Sequence, residues 1–143
     1  MSDTIYSATA TAWGGRDGTV ESSDMRVELS LSIPKAMGGD DGPGTNPEQL
    51  FASGYAACFH SALKGVARAQ KVDVSDSAVS VTISLVGDLA SGIDLAARIE
   101  AQLPNVDRSV AQGLLDAAHQ RCPYSRATRG NITQEVVLVD EED

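Results

Sequence analysis

Two cysteines are the residues of this 143-residue chain whose side chains could do redox chemistry. Cys58 lies within the apolar run GYAACFHSALKGVA, and Cys122 stands directly before a proline in QRCPYS. The thiolate, not the thiol, attacks a peroxide or a disulfide, and an apolar setting raises a cysteine pKa unless a cation or a helix N-terminus offsets it. Two interpretations of Cys58 therefore stay open, a small core residue or a nucleophile.

Aromatic side chains surround the first cysteine. In a helix, Phe51, Tyr55 and Cys58 occupy positions i, i+4 and i+7 of one stripe, and Phe59 adjoins it. Such a stripe could pack in a core, or it could give a small apolar ligand a place to bind. We therefore take Phe51, Tyr55 and Phe59 as candidate pocket residues.

A nucleophilic Cys58 would need a cation, and Arg16 is the better of two candidates. Lys64 follows Cys58 by six helical positions and should point elsewhere, whereas Arg16 sits in the glycine-rich turn GGRDG, which can approach another backbone closely. Because Pro123 ends its helix, Cys122 is expected at the helix C-terminus or in the next turn, which is an accessible place. A helix C-terminus does not lower a thiol pKa, so Cys122 is better suited to resolve an oxidised cysteine than to attack first.

A metal centre must also be considered, since Cys58, His60, His119 and Cys122 are zinc-type ligands. Residues 58 and 60 lie about 200° apart around a helix and cannot face one ion, although residues 119 and 122 could. We expect no metal and no bound cofactor. A Cys-x-x-Cys redox motif is absent from the sequence.

Composition restricts the protein class. The chain has 20 acidic and 11 basic residues, and a net charge of −9 disfavours nucleic acid as a partner. Its length and 42% hydrophobic content suit a single domain, which we place at residues 1–139, followed by an acidic tail at 140–143 that we expect to be disordered. With neither a signal-peptide pattern nor an apolar run of membrane-spanning length, we expect a cytoplasmic protein without a membrane partner.

The N-terminal third has the period of β-strands. IYSATATA alternates from Ile5, GGRDG forms a turn, and MRVELSLS alternates as a half-buried strand from Met25, so we expect a hairpin or meander.

A helix from about Pro47 to about Gln70 must carry the first cysteine. Asn46 is a suitable N-cap, and Gln49 falls where a capping box would reach back. Between Gln49 and Leu63 no residue is formally charged, so we expect this helix to be buried on nearly every face.

The remaining elements follow from alternation and breakers. AVSVTISLV and GIDLAARIEAQL predict a hairpin, although the alanines of the second segment also suit a helix. A helix is expected from about Asp107 to Arg121, and NITQEVVLV, from Asn131, supplies a closing strand.

Three segments of the chain, TATAWGGRDG, GGDDGPGTNPEQLFASGYAACF and VAQGLLDAAHQRCPYSRATRGNI, resemble the organic hydroperoxide resistance proteins (Ohr) of the OsmC-like superfamily. The resemblance extends to Val139. It implies an α/β (α+β) fold of long central buried helices wrapped by antiparallel β-sheets, in an intertwined homodimer.

The resemblance also implies a thiol peroxidase that reduces alkyl and fatty-acid hydroperoxides to alcohols. Cys58 would attack the peroxide and Cys122 would resolve the sulfenic acid as a Cys58–Cys122 disulfide. Arg16 would stabilise the thiolate and polarise the peroxide oxygen, and Glu48 would hold Arg16 by a bidentate ion pair. The reductant would be a dihydrolipoyl group on a lipoylated carrier protein.

Two questions stay open at this point. A non-enzymatic redox sensor or a small apolar ligand-binding domain would use the same residues. Glu48 and Cys58 lie ten residues apart on one helix, roughly 15 Å along its axis. Arg16 could bridge part of this distance from within one chain, but two such helices packed against each other in a dimer are a simpler geometry. We therefore expect an obligate homodimer whose two sites each draw side chains from both chains.

Overall fold

The computed structural model describes residues 2–140, and its internal contacts divide the chain into two compact units, Met1–Leu50 and Phe51–Asp143. The expected acidic tail falls mostly outside the described residues, at 141–143. Its first residue, Asp140, accepts a hydrogen bond from Arg108 Nη1 at 2.9 Å.

The first unit contains a three-stranded antiparallel sheet in the order β1-β2-β3, which confirms the expected meander. Its strands are β1 (Ala10–Trp13), β2 (Thr19–Ser22) and β3 (Glu28–Ser30). Extension of β1 back to Ile5 was wrong, because its partner β2 ends at Ser22 and the ladder stops there. Ile5 is fully exposed.

The segment MRVELSLS is shorter as a strand than its alternation indicates. Met25 has φ 64° in the turn after β2, and Leu31 makes a single bridge to Thr45. Leu31 is buried, but Val27 and Leu29 of the same alternating face are exposed within this chain. The predicted strand is therefore buried on one face only at the C-terminal end of this segment.

Helix α1 (Pro47–Ala69) begins where the sequence indicates. Asn46 Oδ1 accepts the Gln49 backbone N–H at 2.8 Å, which confirms the N-cap, and Gln49 Oε1 accepts the hydroxyl of Thr45 at 2.8 Å.

Burial of α1 on nearly every face was wrong for this chain. One stripe is buried, namely Tyr55, Phe59, Leu63, Val66 and Ala67. The opposite face, with Ser53, Ala57 and Ser61, is exposed. These side chains are small or polar, so the absence of charge does not make that face strongly apolar.

The second unit contains a sheet in the order β4-β5-β6. Strands β4 (Ala78–Asp88) and β5 (Gly92–Gln102) form the expected antiparallel hairpin, so the helical alternative for the second segment is wrong. The closing strand β6 (Thr133–Leu138) pairs parallel with β5. This sheet is mixed and not wholly antiparallel, because the connection through two helices returns the chain in the same direction.

Those two helices carry the second cysteine at their junction. They are α2 (Arg108–Arg121), which confirms the expected helix, and α3 (Pro123–Thr128). The core of the second unit lies between α1, α2 and the sheet, and its fully buried large side chains include Phe59, Leu63, Ile99, Leu114 and Leu115. No helix among residues 2–140 is long and apolar enough to span a membrane.

Candidate active site

The two cysteines of the second unit face each other. Cys58 Sγ lies 3.6 Å from Cys122 Sγ, and both are free thiols. A disulfide needs about 2.05 Å between the sulfurs, so only a small side-chain movement separates this arrangement from a bond. Cys58 is half-buried and Cys122 is completely buried. The two sulfurs are therefore close enough for a disulfide after a small movement, and Cys58 is the less buried of the two residues.

The position of Cys122 explains its burial. Its N–H donates to Ala118 O at 2.8 Å at the end of α2, and its carbonyl accepts the Arg126 N–H at 2.9 Å at the start of α3. Our expectation of an accessible site was wrong, because Pro123 both ends α2 and occupies the first position of α3, so no open turn follows.

The charge state of Cys58 is set by opposing effects within this unit. Burial raises the pKa of the Cys58 thiol, and a hydrogen bond from the backbone N–H of Tyr124 acts in the opposite direction, with the net shift upward. Tyr124 is the second residue of α3, where backbone N–H groups have no partner within the helix. This donor was not predicted, although a proline just before Tyr124 is a typical helix-start signal.

The first unit holds the candidate cation. Arg16 and Glu48 form a bidentate ion pair, with Nη1–Oε1 at 2.8 Å and Nη2–Oε2 at 3.3 Å. The side chains are 38% and 17% exposed, so the carboxylate is the more buried partner. Glu48 also lies in the first turn of α1, where a negative charge is favoured.

The backbone of GGRDG fixes the position of Arg16. Gly14 has φ 81°, and a Cβ atom on Gly18 would lie 1.8 Å from the Trp13 carbonyl oxygen. A side chain at either position would strain or block the turn. The glycines thus allow a tight turn between β1 and β2 with Arg16 at its centre.

An aromatic cluster lies beside the cysteines. Ring centroids are 6.3 Å apart for Phe51–Tyr55, 5.9 Å for Phe51–Tyr124 and 5.6 Å for Tyr55–Tyr124. Tyr124, which is not among the predicted pocket residues, packs against Gly54, where a Cβ atom would lie 2.8 Å from Tyr124 Oη. Of the candidate pocket residues, Phe51 is half-buried, whereas Tyr55 and Phe59 are fully buried.

Both histidines are bonded to serine hydroxyls. His60 Nε2 lies 2.9 Å from Ser77 Oγ, and His119 Nδ1 lies 2.9 Å from Ser125 Oγ. Burial is the main cause that lowers the pKa of each histidine. Among residues 2–140 no group of three or more His, Cys, Asp or Glu side chains could hold a metal ion.

Comparison with known proteins relates this arrangement to a family. The profile described as "OsmC-like protein" matches residues 38–137. The organic hydroperoxide resistance protein of Xanthomonas axonopodis pv. citri is 46% identical over 135 residues, 94% of this chain and 94% of its own. OhrB of Bacillus subtilis is 41% identical over 135 residues, 94% of this chain and 98% of its own.

Solved structures of proteins with the same description have a similar fold. An organic hydroperoxide resistance protein from Legionella pneumophila superposes with a TM-score of 0.89 at 40% identity, covering 95% of this chain and 98% of its own. The crystal structure of Bacillus subtilis OhrB gives 0.85 at 40% identity, covering 95% and 100%. The expected OsmC-like α/β fold is confirmed.

Proposed function

Because the chain belongs to the OsmC-like proteins and, among them, to the organic hydroperoxide resistance proteins, we propose that it reduces organic hydroperoxides through its two cysteines. The observation that carries this proposal is the 3.6 Å separation of Cys58 and Cys122 sulfurs of unequal burial. A peroxide needs access to one thiol, and the product of its attack needs a second thiol nearby.

The chemistry has two steps, one oxidation by the hydroperoxide and one condensation. The Cys58 thiolate attacks the outer oxygen of the hydroperoxide, the O–O bond breaks, and the alkoxide takes a proton to leave as an alcohol. Cys58 is then a sulfenic acid. Cys122 attacks its sulfur, the S–S bond forms as the S–O bond breaks, and the Cys122 proton joins the departing hydroxide as water.

Arg16 is the cation that we propose for the Cys58 thiolate. Burial raises the pKa of Cys58, and the Tyr124 N–H opposes this only in part, so a positive charge is needed for the thiolate to form near neutral pH. The bidentate contact with Glu48 restricts the Arg16 guanidinium to one orientation. This contact supports the proposal that Glu48 positions Arg16. In the same role Arg16 would polarise the peroxide oxygen.

The substrate class that we propose is alkyl and fatty-acid hydroperoxides. Phe51, Tyr55 and Tyr124 form an aromatic cluster in the unit that holds both sulfurs, and such surfaces favour an organic tail. We propose a dihydrolipoyl group on a carrier protein as reductant. A dithiol can attack the disulfide and then release itself as a cyclic disulfide, which returns both cysteines to thiols.

We also propose that the protein works as a homodimer in the cytoplasm. Each unit exposes large apolar side chains that a second copy could cover, for example Trp13 and Leu29 in the first and Val86 and Ile93 in the second. Free thiols persist in a reducing cytoplasm.

The central experiment measures loss of cumene hydroperoxide with dihydrolipoamide or glutathione as reductant. We expect turnover with dihydrolipoamide, none for Cys58→Ser, and a single oxidation without turnover for Cys122→Ser. After one peroxide equivalent, a non-reducing gel should show the wild type as a monomer with an internal disulfide. Oxidation without turnover by any dithiol would support a redox sensor, and disulfide-linked dimers alone would contradict the internal Cys58–Cys122 bond.

The shared-site hypothesis is tested by refolding Cys58→Ser and Arg16→Ala chains together. If each site uses both chains, heterodimers regain one complete site and activity rises well above either parent. Confirmed heterodimers without recovered activity would mean that each chain completes its own site.

A further inference from the structure

A fully buried hydroxyl lies one helical turn after the second cysteine. Ser125 Oγ is 2.7 Å from Tyr55 Oη and 2.9 Å from His119 Nδ1. These partners belong to α1 and α2, while Ser125 belongs to α3. One side chain thus connects the helix of Cys58 with the two helices that meet at Cys122.

The direction of these hydrogen bonds follows from the neighbouring contacts. Thr128 Oγ1 donates to the Tyr124 carbonyl at 2.7 Å, so its single proton is used. Gln134 Nε2 must therefore be the donor to Thr128 Oγ1, at 2.9 Å, and it also donates to Tyr55 Oη at 3.3 Å. Gln134 Oε1 is buried without a hydrogen-bond partner among the described residues, so only the amide nitrogen of this side chain takes part in these contacts.

The hydrogen-bond donors can be followed in the same way to His119. Tyr55 Oη accepts from Gln134, which leaves its own proton available to Ser125 Oγ at 2.7 Å. The Ser125 proton is then available to His119 Nδ1, which accepts it in the neutral tautomer with the proton on Nε2. Burial and the nearby Arg129 charge lower the pKa of His119, against the opposing effect of Asp116, and so favour that neutral form.

Resting on the cysteine chemistry proposed above, we propose that Tyr55, Ser125 and His119 form a positioning chain that holds Cys122 against Cys58 for disulfide formation. Cys122 is the single residue between α2 and α3, so the packing of both helices sets the position of its Sγ. This positioning chain fixes α3 against α1 through Tyr55 and against α2 through His119. Attack on the peroxide uses the Cys58 sulfur, whereas disulfide formation also requires the position of Cys122, so the second step depends more strongly on this chain.

The test separates the two steps in a single turnover. Reduced protein receives one equivalent of cumene hydroperoxide, dimedone labelling follows the Cys58 sulfenic acid, and mass spectrometry follows the disulfide. The variants are Ser125→Ala and Tyr55→Phe, which remove one hydroxyl each. Ser77→Ala is the matched control, because Ser77 makes the same 2.9 Å contact with a histidine ring, that of His60.

We expect the ratio of the disulfide rate to the sulfenic acid rate to fall about tenfold or more in Ser125→Ala and in Tyr55→Phe. The double variant should be no slower than the slower single variant, since both remove the same bond. Ser77→Ala should keep the wild-type ratio. Tyr55→Phe retains the buried ring and keeps the test usable if Ser125→Ala does not fold.

A wild-type ratio in both variants would overturn the positioning role, and so would an equal fall in Ser77→Ala. The failure of the proposed function looks different. If the wild-type protein itself forms neither sulfenic acid nor disulfide with the hydroperoxide, the cysteine chemistry is wrong, and this inference is overturned with it.

Discussion

Oxidation of Cys58 and Cys122 to a disulfide should stabilise the second unit against unfolding. The cysteines lie 64 positions apart, and a cross-link over a loop of that length removes chain entropy from the unfolded state worth about 4 kcal/mol. The sulfurs start 3.6 Å apart, so bond formation requires little rearrangement and little of this gain should be lost to strain. For a chain of this size the gain corresponds to a rise in melting temperature of roughly 10 °C.

The assay compares thermal unfolding, followed by circular dichroism, of protein oxidised with one equivalent of hydroperoxide and of protein kept in dithiothreitol. Cys122→Ser, treated in the same way, is the control and should show no such rise. An oxidised protein that melts at or below the temperature of the reduced protein would refute the reasoning. It would mean that bond formation strains the fold by as much as the cross-link stabilises it.

Three further predictions concern separate parts of the molecule. Arg16→Ala should raise the pKa of the Cys58 thiol, so that alkylation by iodoacetamide at neutral pH slows about tenfold for each pKa unit. Gly54→Ala should push the ring of Tyr124 away and lower kcat/KM for cumene hydroperoxide roughly tenfold. Its unfolding free energy in urea should change by less than about 1 kcal/mol, because alanine favours the helix by a similar amount. His119 has a lowered pKa in the folded protein, so the unfolded chain binds more protons and stability falls as pH drops below about 6.5. His119→Gln should lack this part of the acid sensitivity in urea unfolding at different pH values.

Each of these has a clear contrary result. An unchanged pH profile of alkylation in Arg16→Ala would remove the arginine from its role at the thiolate. Wild-type kcat/KM in Gly54→Ala would show that the position of the Tyr124 ring does not matter to the substrate. The same loss of stability in acid for His119→Gln and wild type would assign that loss to other groups.

Local sequence signals located most elements of the fold. Asn46 and Pro47 marked the start of α1, because a side-chain acceptor followed by a residue without a backbone N–H suits the first helical turn. Strict alternation identified β4 and β5, whose ladder pairs Ala78 with Gln102 and continues to Asp88 and Gly92.

Features that depend on residues far away in the sequence could not be predicted from the local pattern. The β1 pattern continues back to Ile5, but the length of its partner strand ends the ladder. The direction of β6 follows from the path through α2 and α3, which alternation does not encode.

In the candidate site, too, the features that depend on distant partners were not predictable from the local sequence. The proximity of Cys58 and Cys122 came from the resemblance, since a separation of 64 positions contains no geometric information. Pro123 was interpreted as a helix breaker alone, and so the burial of Cys122 and the contribution of Tyr124 were missed. Ser125 carries no sequence signal that distinguishes it from a surface serine.

If the proposed Cys58–Cys122 disulfide forms, the unequal burial of the two cysteines also determines which sulfur a reducing thiol can attack. In a disulfide exchange the incoming thiol must reach one sulfur in line with the S–S bond and expel the other. Cys122 is closed to solvent within this chain, so an external thiol would meet the sulfur of Cys58 and form its mixed disulfide there. Cys122 would be the leaving group in every cycle, and the enclosed thiol would return to the place from which the next disulfide forms.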